Sequence, residues 1–152
     1  MRRTLCLCTI LAAALAVGCS RQPQSHVGEW DGKMTVTFNR NASRLPPLNI
    51  EVNAVFYFSK DGKVQKTGED FITEKEKVDE GEYEIDYSKN PVQLKINWLI
   101  EGKNYNSPGI VRFIGEDKDR MQYCWNFPED PTPPPSFDNA PRCWWLTKKV
   151  KK

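Results

Sequence analysis

Cys19 stands in a sequence context that favours chemical modification of its thiol. It follows the short apolar run at residues 15–18, which ends in Val17 and Gly18. Small residues at these positions let a peptidase accept an extended backbone beside a cysteine whose thiolate has taken up a diacylglyceryl group. This spacing is that of a bacterial lipobox, so we predict lipidation at Cys19. The alternative is ordinary secretory cleavage that leaves Cys19 as a thiol.

The residues before Cys19 have the layout of an export signal. Arg2 and Arg3 precede a 13-residue apolar stretch from Leu5 to Val17, which is too short to cross a bilayer core of about 30 Å as a helix. We therefore predict a lipoprotein signal peptide over residues 1–18. Two or three acyl chains, palmitate among them, would then hold the mature chain on a membrane.

The sequence predicts the bacterial cell envelope as the compartment. Ser20 follows the lipidated cysteine where an aspartate would favour retention in the inner membrane. In a Gram-negative host this pattern resembles that of outer-membrane lipoproteins, on either the periplasmic or the surface face. The membrane, reached through the N-terminal lipid, is thus the first expected partner.

Two further cysteines are candidates for a disulfide. Cys6 and Cys8 leave with the signal peptide, so Cys124 and Cys143 remain as an even pair in an oxidising compartment. A bridge closing this loop would stabilise the fold by about 3 kcal/mol in the chain-entropy model. Two buried free thiols are one alternative. A redox pair is another, although it would favour a C-x-x-C spacing that is absent.

Residues suited to catalysis or metal binding are scarce. The one histidine, His26, falls in residues 19–27, which we predict to be a solvated, lipidated tether. Ser/His/Asp and Cys/His mechanisms need an imidazole in the folded domain. Asp117 and Asp119 have an Asp-x-Asp spacing but lack the glycine and distal glutamate of an EF-hand. We expect a non-enzymatic protein with no cofactor and no metal.

The charge balance argues against a nucleic-acid partner. The chain has 152 residues with 22 basic and 20 acidic side chains, and removal of residues 1–18 takes away Arg2 and Arg3. The mature chain of 134 residues is therefore formally neutral, without the basic excess of a nucleic-acid footprint. Residues 148–152 form a basic tail that could engage anionic lipid, or simply be a solvated terminus.

Apolar residues recur with a period of two along most of the mature chain. Asp61-Gly62, Asn90-Pro91 and Glu101-Gly102 separate such runs as turns. We interpret 75–80 as a solvated turn and 71–72 as part of a short strand. The pattern predicts an all-β domain over 28–150, an antiparallel up-and-down barrel of about eight strands. All 17 aromatic residues lie in the mature chain, which favours an aromatic core.

One segment breaks the period. Residues 128–141 contain six of the eleven prolines and cannot pair in a sheet, so we predict a stiff excursion between the last two strands. If Tyr123 faces inward, its neighbour Cys124 faces outward. If Trp144 faces inward, its neighbour Cys143 also faces outward. A disulfide on the outer face would then close the base of this loop.

The residues from about 28 to 149 resemble a family of small bacterial lipocalin-like domains found in secreted proteins and lipoproteins. Gly28-Glu29-Trp30 is similar to the G-x-W opening of such barrels. The resemblance implies that Trp30 plugs the closed end and that Lys148 or Lys149 stacks on it in place of an arginine. Pro133 stands where the family usually has another arginine. The remaining matches are Tyr83, Asp86, Lys89 and Pro91; Gly109, Ile110, Gly115, Glu116 and Cys124; and Pro134, Phe137, Leu146 and Lys148.

The first functional hypothesis is a binding module. We predict a membrane-anchored, non-enzymatic lipoprotein whose lipocalin-like barrel holds a small apolar ligand. The same inward-facing side chains could instead pack the interior solid. The pocket candidates are Tyr83, Ile96, Trp98, Tyr123, Trp125 and Trp144.

The alternative is an envelope structural or protein-interaction module. A stiff loop loses little entropy on binding, and exposed aromatic residues are common anchors at interfaces. Its partner would be an envelope protein. The candidate contacts are Pro133, Pro134, Pro135, Phe137 and Trp145, although Trp145 could instead cover the disulfide.

Overall fold

The computed structural model describes residues 25–38, 47–69, 74–126 and 130–150. Eight strands each pair antiparallel with their neighbours in sequence, and β8 returns to pair with β1. The described residues thus form a closed up-and-down barrel, which confirms the predicted fold class. The strands are β1 (Gly28–Phe38), β2 (Leu48–Phe58), β3 (Lys63–Glu69), β4 (Glu76–Asp86), β5 (Gln93–Ile100), β6 (Lys103–Ile114), β7 (Arg120–Trp125) and β8 (Arg142–Lys148).

The predicted turns and the aromatic core are present. Asp61-Gly62 lies between β2 and β3, and Gly62 adopts a φ of 82°, which favours glycine. Inside the barrel, Phe56 packs edge-on against Trp144 with ring centroids 5.1 Å apart. The buried core consists of Trp30, Ala54, Phe56, Phe58, Val64, Leu94, Ile96, Trp98, Val111, Met121, Tyr123, Trp144 and Leu146.

Two strand boundaries differ from those predicted. The predicted solvated turn at 75–80 is wrong, because β4 already begins at Glu76. Asp79 of that segment lies opposite Lys66 of β3, so the charged side chains pair across neighbouring strands. The apolar pattern predicts a strand only from Ile110 to Ile114, but β6 already begins at Lys103, because the polar segment ahead of Ile110 pairs with β5. The predicted strand at 71–72, the signal peptide and Cys19 lie outside the described residues.

The barrel has two distinct ends. At the end we call closed, β1 starts and the segment 25–27 packs against the ends of the strands. At the opposite end, which we call open, β1 ends and a hollow enters the interior. The closed end carries the turns 59–62, 87–92 and 115–119, and the open end carries the turn 101–102 and the connection from β7 to β8.

Candidate functional site

Trp30 lies inside the closed end and is fully buried. Its indole Nε1 donates a hydrogen bond of 2.8 Å to the carbonyl of His26. The Lys148 ammonium lies 5.4 Å from the centre of the indole ring and donates a 2.8 Å hydrogen bond to the carbonyl of Ser25. The chain before β1 is therefore tied to the barrel by the side chains that cover this end.

The prediction that His26 is a solvated tether residue is wrong. His26 is buried, its Nδ1 lies 2.9 Å from the Tyr87 hydroxyl, and its ring meets Tyr83 edge-on at 5.5 Å. Burial, and secondarily the Lys148 ammonium, lower the pKa of His26. The packed domain thus includes residues 25–27, and the imidazole is committed to this contact.

The phenols at the closed end are held by hydrogen bonds. The Tyr83 hydroxyl donates to the carbonyl of Ser59 at 2.5 Å. Burial raises the pKa of Tyr83 to about 12 and also raises that of Tyr87, so both phenols stay neutral at physiological pH. The arrangement seals this end of the barrel.

Most of the six pocket candidates pack into the core. Ile96 is fully buried, and Tyr123 is buried with its hydroxyl donating 2.8 Å to the carbonyl of Ser107. Trp125 is half-buried and stacks on Tyr123 at 5.3 Å. Together with Tyr83 at the closed end, these residues belong to the core or pack against it.

Trp98 and Trp144 lie nearer the open end. Trp98 has the Lys66 ammonium 5.4 Å from its ring centre. Trp144 forms part of the wall of a cavity of about 230 Å³ that enters the barrel between β1, β2, β3, β4 and β8. Among the described residues, Trp144 is the one pocket candidate that lines this cavity.

The cavity has one apolar and one charged wall. Its volume corresponds to about eight water molecules at their share of about 30 Å³ each in the liquid. Two larger hollows, of about 660 and 700 Å³, lie along the outside of the barrel and are lined mainly by outward-facing residues. The lining of the inner cavity is Met34, Val52, Asn53, Ala54, Lys66, Gly68, Glu69, Lys77, Asp79 and Trp144.

Asp79 is the unusual member of the charged wall, since an aspartate is rarely this deeply buried. It is only 5% exposed. Its Oδ2 accepts from the Lys66 ammonium at 2.5 Å. Its Oδ1 is also buried but has no hydrogen-bond partner in the part of the chain that the structure describes, and the Lys77 ammonium stays 3.7 Å away. Sequence reasoning missed this group, although the alternation of Lys77, Asp79 and Gly81 could have revealed it.

The described part of the proline-rich connection lies outside the sheet, between β7 and β8, and packs on the outside of the barrel near the open end. Pro134 is fully buried, and the ring of Phe137 lies 4.4 Å from the Arg112 guanidinium. Outward-facing Ile110 and Gln122 are also buried. Of the other predicted contact residues, Pro133 is half-buried, Pro135 is exposed and Trp145 is 50% exposed.

The predicted disulfide between Cys124 and Cys143 is confirmed. The two residues are direct neighbours across β7 and β8, with Cα atoms 4.1 Å apart. Both lie on the outer face, and Cys124 is nevertheless fully buried. The bond therefore ties the base of that connection to the wall of the barrel.

Two searches of the described residues are negative. They contain no group of three or more histidine, cysteine or acidic side chains that could hold a metal ion. Nor do these residues include a helix long and apolar enough to cross a membrane.

No family model, curated protein or solved structure matches the chain.

Proposed function

We propose that this protein is a membrane-anchored, non-enzymatic lipoprotein that holds a small ligand in the open end of a lipocalin-like barrel. The observation that carries the proposal is the cavity of about 230 Å³ inside the barrel, with the Trp144 ring in its wall. A concave, partly apolar hollow with a few polar groups is the usual form of a small-molecule site. The charged wall makes an amphipathic ligand a better fit than the purely apolar one predicted from the sequence.

The closed end supports the choice of the open end as the binding site. Trp30, His26 and Tyr83 occupy the closed end and have their polar atoms paired. A ligand entering there would have to displace a fully buried indole. The open end requires no such displacement.

The anchor would set the direction in which the cavity faces. Five residues lie between Cys19 and Ser25, so a lipid on Cys19 would lie within about 20 Å of Ser25 even for an extended chain. Ser25 is held at the closed end by Lys148. The closed end would then lie next to the membrane, and the open end would face away from it.

The envelope interaction module remains the alternative. Pro134 and Phe137 are engaged with the barrel itself, which leaves Pro135 and half-exposed Trp145 as free contacts. Two separate side chains make a smaller anchor than a continuous loop would. The cavity is thus the stronger basis for a function.

A pair of variants in β2 tests ligand binding. Val52 points into the cavity and Val55, three residues later, lines an outer hollow. Toluene is the probe, titrated into the ¹⁵N-labelled chain from residue 19 onward, with Cys19→Ser to prevent acylation. We expect saturable shifts of the Trp144 indole N–H signal that are lost in Val52→Phe and kept in Val55→Phe. Shifts that never saturate, or that survive Val52→Phe, would contradict binding in the barrel.

The anchor has its own test. Cells expressing the full chain are grown with an alkyne-bearing palmitate analogue, and the purified protein is analysed for incorporated label. We expect label in the wild-type chain and none in Cys19→Ala. Equal labelling of both chains would refute lipidation at Cys19.

A further inference from the structure

The cavity contains a carboxylate whose second oxygen is not used by the fold. Asp79 is nine-tenths or more buried and lines the hollow. Lys66 satisfies one of its oxygens, while Oδ1 has no hydrogen-bond partner among the described residues. A buried acceptor without a partner is costly. Resting on the proposed function, we infer that Asp79 is the recognition group of the cavity and binds an uncharged hydrogen-bond donor, a hydroxyl or amide N–H, on the ligand.

The position of Lys66 supports this role for Asp79. Its ammonium lies between the Asp79 carboxylate and the face of the Trp98 ring. These two contacts hold Lys66 against Oδ2. The ion pair therefore uses Oδ2 and leaves the hydrogen-bonding capacity of Oδ1 unused among the described residues.

The surrounding charges select a neutral donor. A ligand carboxylate would bring its oxygens against Asp79 Oδ1, and Glu69 adds a second acidic group to the lining. A ligand ammonium would lie near the Lys77 ammonium, which is 3.7 Å from the same oxygen. Like charges at such distances repel strongly where water is scarce. A hydroxyl or amide N–H meets neither penalty.

The apolar wall and the volume define the rest of the ligand. Met34, Val52 and Trp144 face the charged residues across the cavity. The space admits roughly eight non-hydrogen atoms, if each needs about the 30 Å³ that a water occupies. The ligand is thus a short amphiphile, or the polar end of a longer one, with a single donor at its tip.

Five probes of similar size test the inference in the same Cys19→Ser chain from residue 19 onward. Hexan-1-ol and methyl pentyl ether have seven non-hydrogen atoms each, but only the alcohol has a donor. Hexanoate and hexylammonium carry the two excluded charges, and toluene reports on the cavity alone. By titration of the Trp144 indole signal, we expect the alcohol to bind about tenfold or more tighter than the ether and tighter than either ion.

A double variant assigns the preference to Asp79. Lys66→Met with Asp79→Leu removes both charges together, so that no unpaired charge stays buried. We expect toluene to bind this variant at least as tightly as the wild-type chain, because the cavity wall becomes more apolar, and the preference for the alcohol over the ether to vanish. The matched control is Lys33→Met with Glu51→Leu, an exposed ion pair of the neighbouring wall, which should leave all affinities unchanged.

The outcomes separate this inference from the proposed function. Saturable toluene binding with equal affinity for alcohol and ether would overturn the role of Asp79 and leave the binding barrel intact. Tighter binding of hexanoate would also overturn it, since the lysines would then be the recognition groups. If none of the probes binds, toluene included, the proposed function fails and the inference with it.

Discussion

The two ends of this barrel are built from the same eight strands but differ in how tightly they are packed and in whether their buried polar atoms are hydrogen-bonded. At the closed end, large rings fill the interior and the polar atoms of Trp30, Tyr83 and His26 meet partners. At the open end, a hollow borders a buried ion pair in which the Asp79 Oδ1 lacks a hydrogen-bond partner within the described ranges. One end is arranged for stability, and the other keeps unused space and unused hydrogen-bonding capacity.

The difference originates in the sizes of the inward-facing residues. Gly32, Ala54 and Gly68 lie side by side across β1, β2 and β3 in one row of the register. The equivalent positions nearer the closed end carry Trp30, Phe56 and Lys66. Ala54 and Gly68 of this row line the hollow. The space beside Gly32 is taken up by Phe56 and Leu146, each 3.0 Å from where a Cβ would stand.

The largest expected effect on stability comes from Trp30, which fills the closed end. Trp30→Ala should lower the free energy of unfolding by about 3–5 kcal/mol, the range for truncating a buried tryptophan. Trp144→Ala is the matched change at the open end, and it should cost less because one side of that ring already borders the hollow. Guanidinium unfolding followed by circular dichroism measures both. Equal losses in the free energy of unfolding would show that the two ends are packed alike.

The open end is held from the outside by the disulfide. Cys124→Ala with Cys143→Ala should lower the free energy of unfolding by about 3 kcal/mol, since the closed loop has about 19 residues. Reduction of the wild-type chain should give a similar loss, whereas the double variant should not respond to reductant. A reductant effect of the same size in both would show that the loss does not come from this bond.

The ion pair should show the cost of a buried charge. Lys66→Met leaves the Asp79 carboxylate with Lys77 alone, at 3.7 Å, and should lower the free energy of unfolding by about 1–3 kcal/mol. Adding Asp79→Leu should recover most of that loss, because a buried pair replaced as a whole is often neutral. The matched change in an exposed pair, Lys33→Met, should cost below about 1 kcal/mol.

The recovery of stability on adding Asp79→Leu distinguishes a recognition group from a structural one. A double variant no more stable than Lys66→Met alone would show that Asp79 stabilises the fold in its own right. The open end would then be a structural device like the closed end, and the case for a recognition group would weaken.

The sequence was sufficient for the barrel because alternation is a local property. The runs through Leu48–Phe58 and Gln93–Ile100 alternate regardless of what packs beside them. The disulfide was predictable for a related reason: Cys124 and Cys143 each stand next to inward-facing aromatic residues, which places both on the outer face. Neither prediction needs the register of distant strands.

The cavity and His26 were not predictable in this way. The row of Gly32, Ala54 and Gly68 exists only once three strands adopt their register. His26 contacts Tyr87, 61 residues later in the chain, and the residues beside it in the sequence do not indicate that contact. The start of β4 was predicted as a turn because its inward-facing residues, Lys77 and Asp79, are charged. Both line the hollow at the open end.

The smallest expected effect is a pH dependence that belongs to the closed end. Burial and Lys148 lower the pKa of His26 in the folded protein, so the unfolded chain binds the proton first as pH falls below the ordinary histidine value of about 6.5. The contribution of His26 to stability is complete above that pH and is lost as pH falls through the depressed pKa. Because the chain has one histidine, His26→Gln should flatten the free energy of unfolding measured between pH 7.5 and 5. If the free energy of unfolding depends on pH in the same way in the wild-type chain and in His26→Gln, another group titrates. His26 would then not contribute to the stability of the closed end.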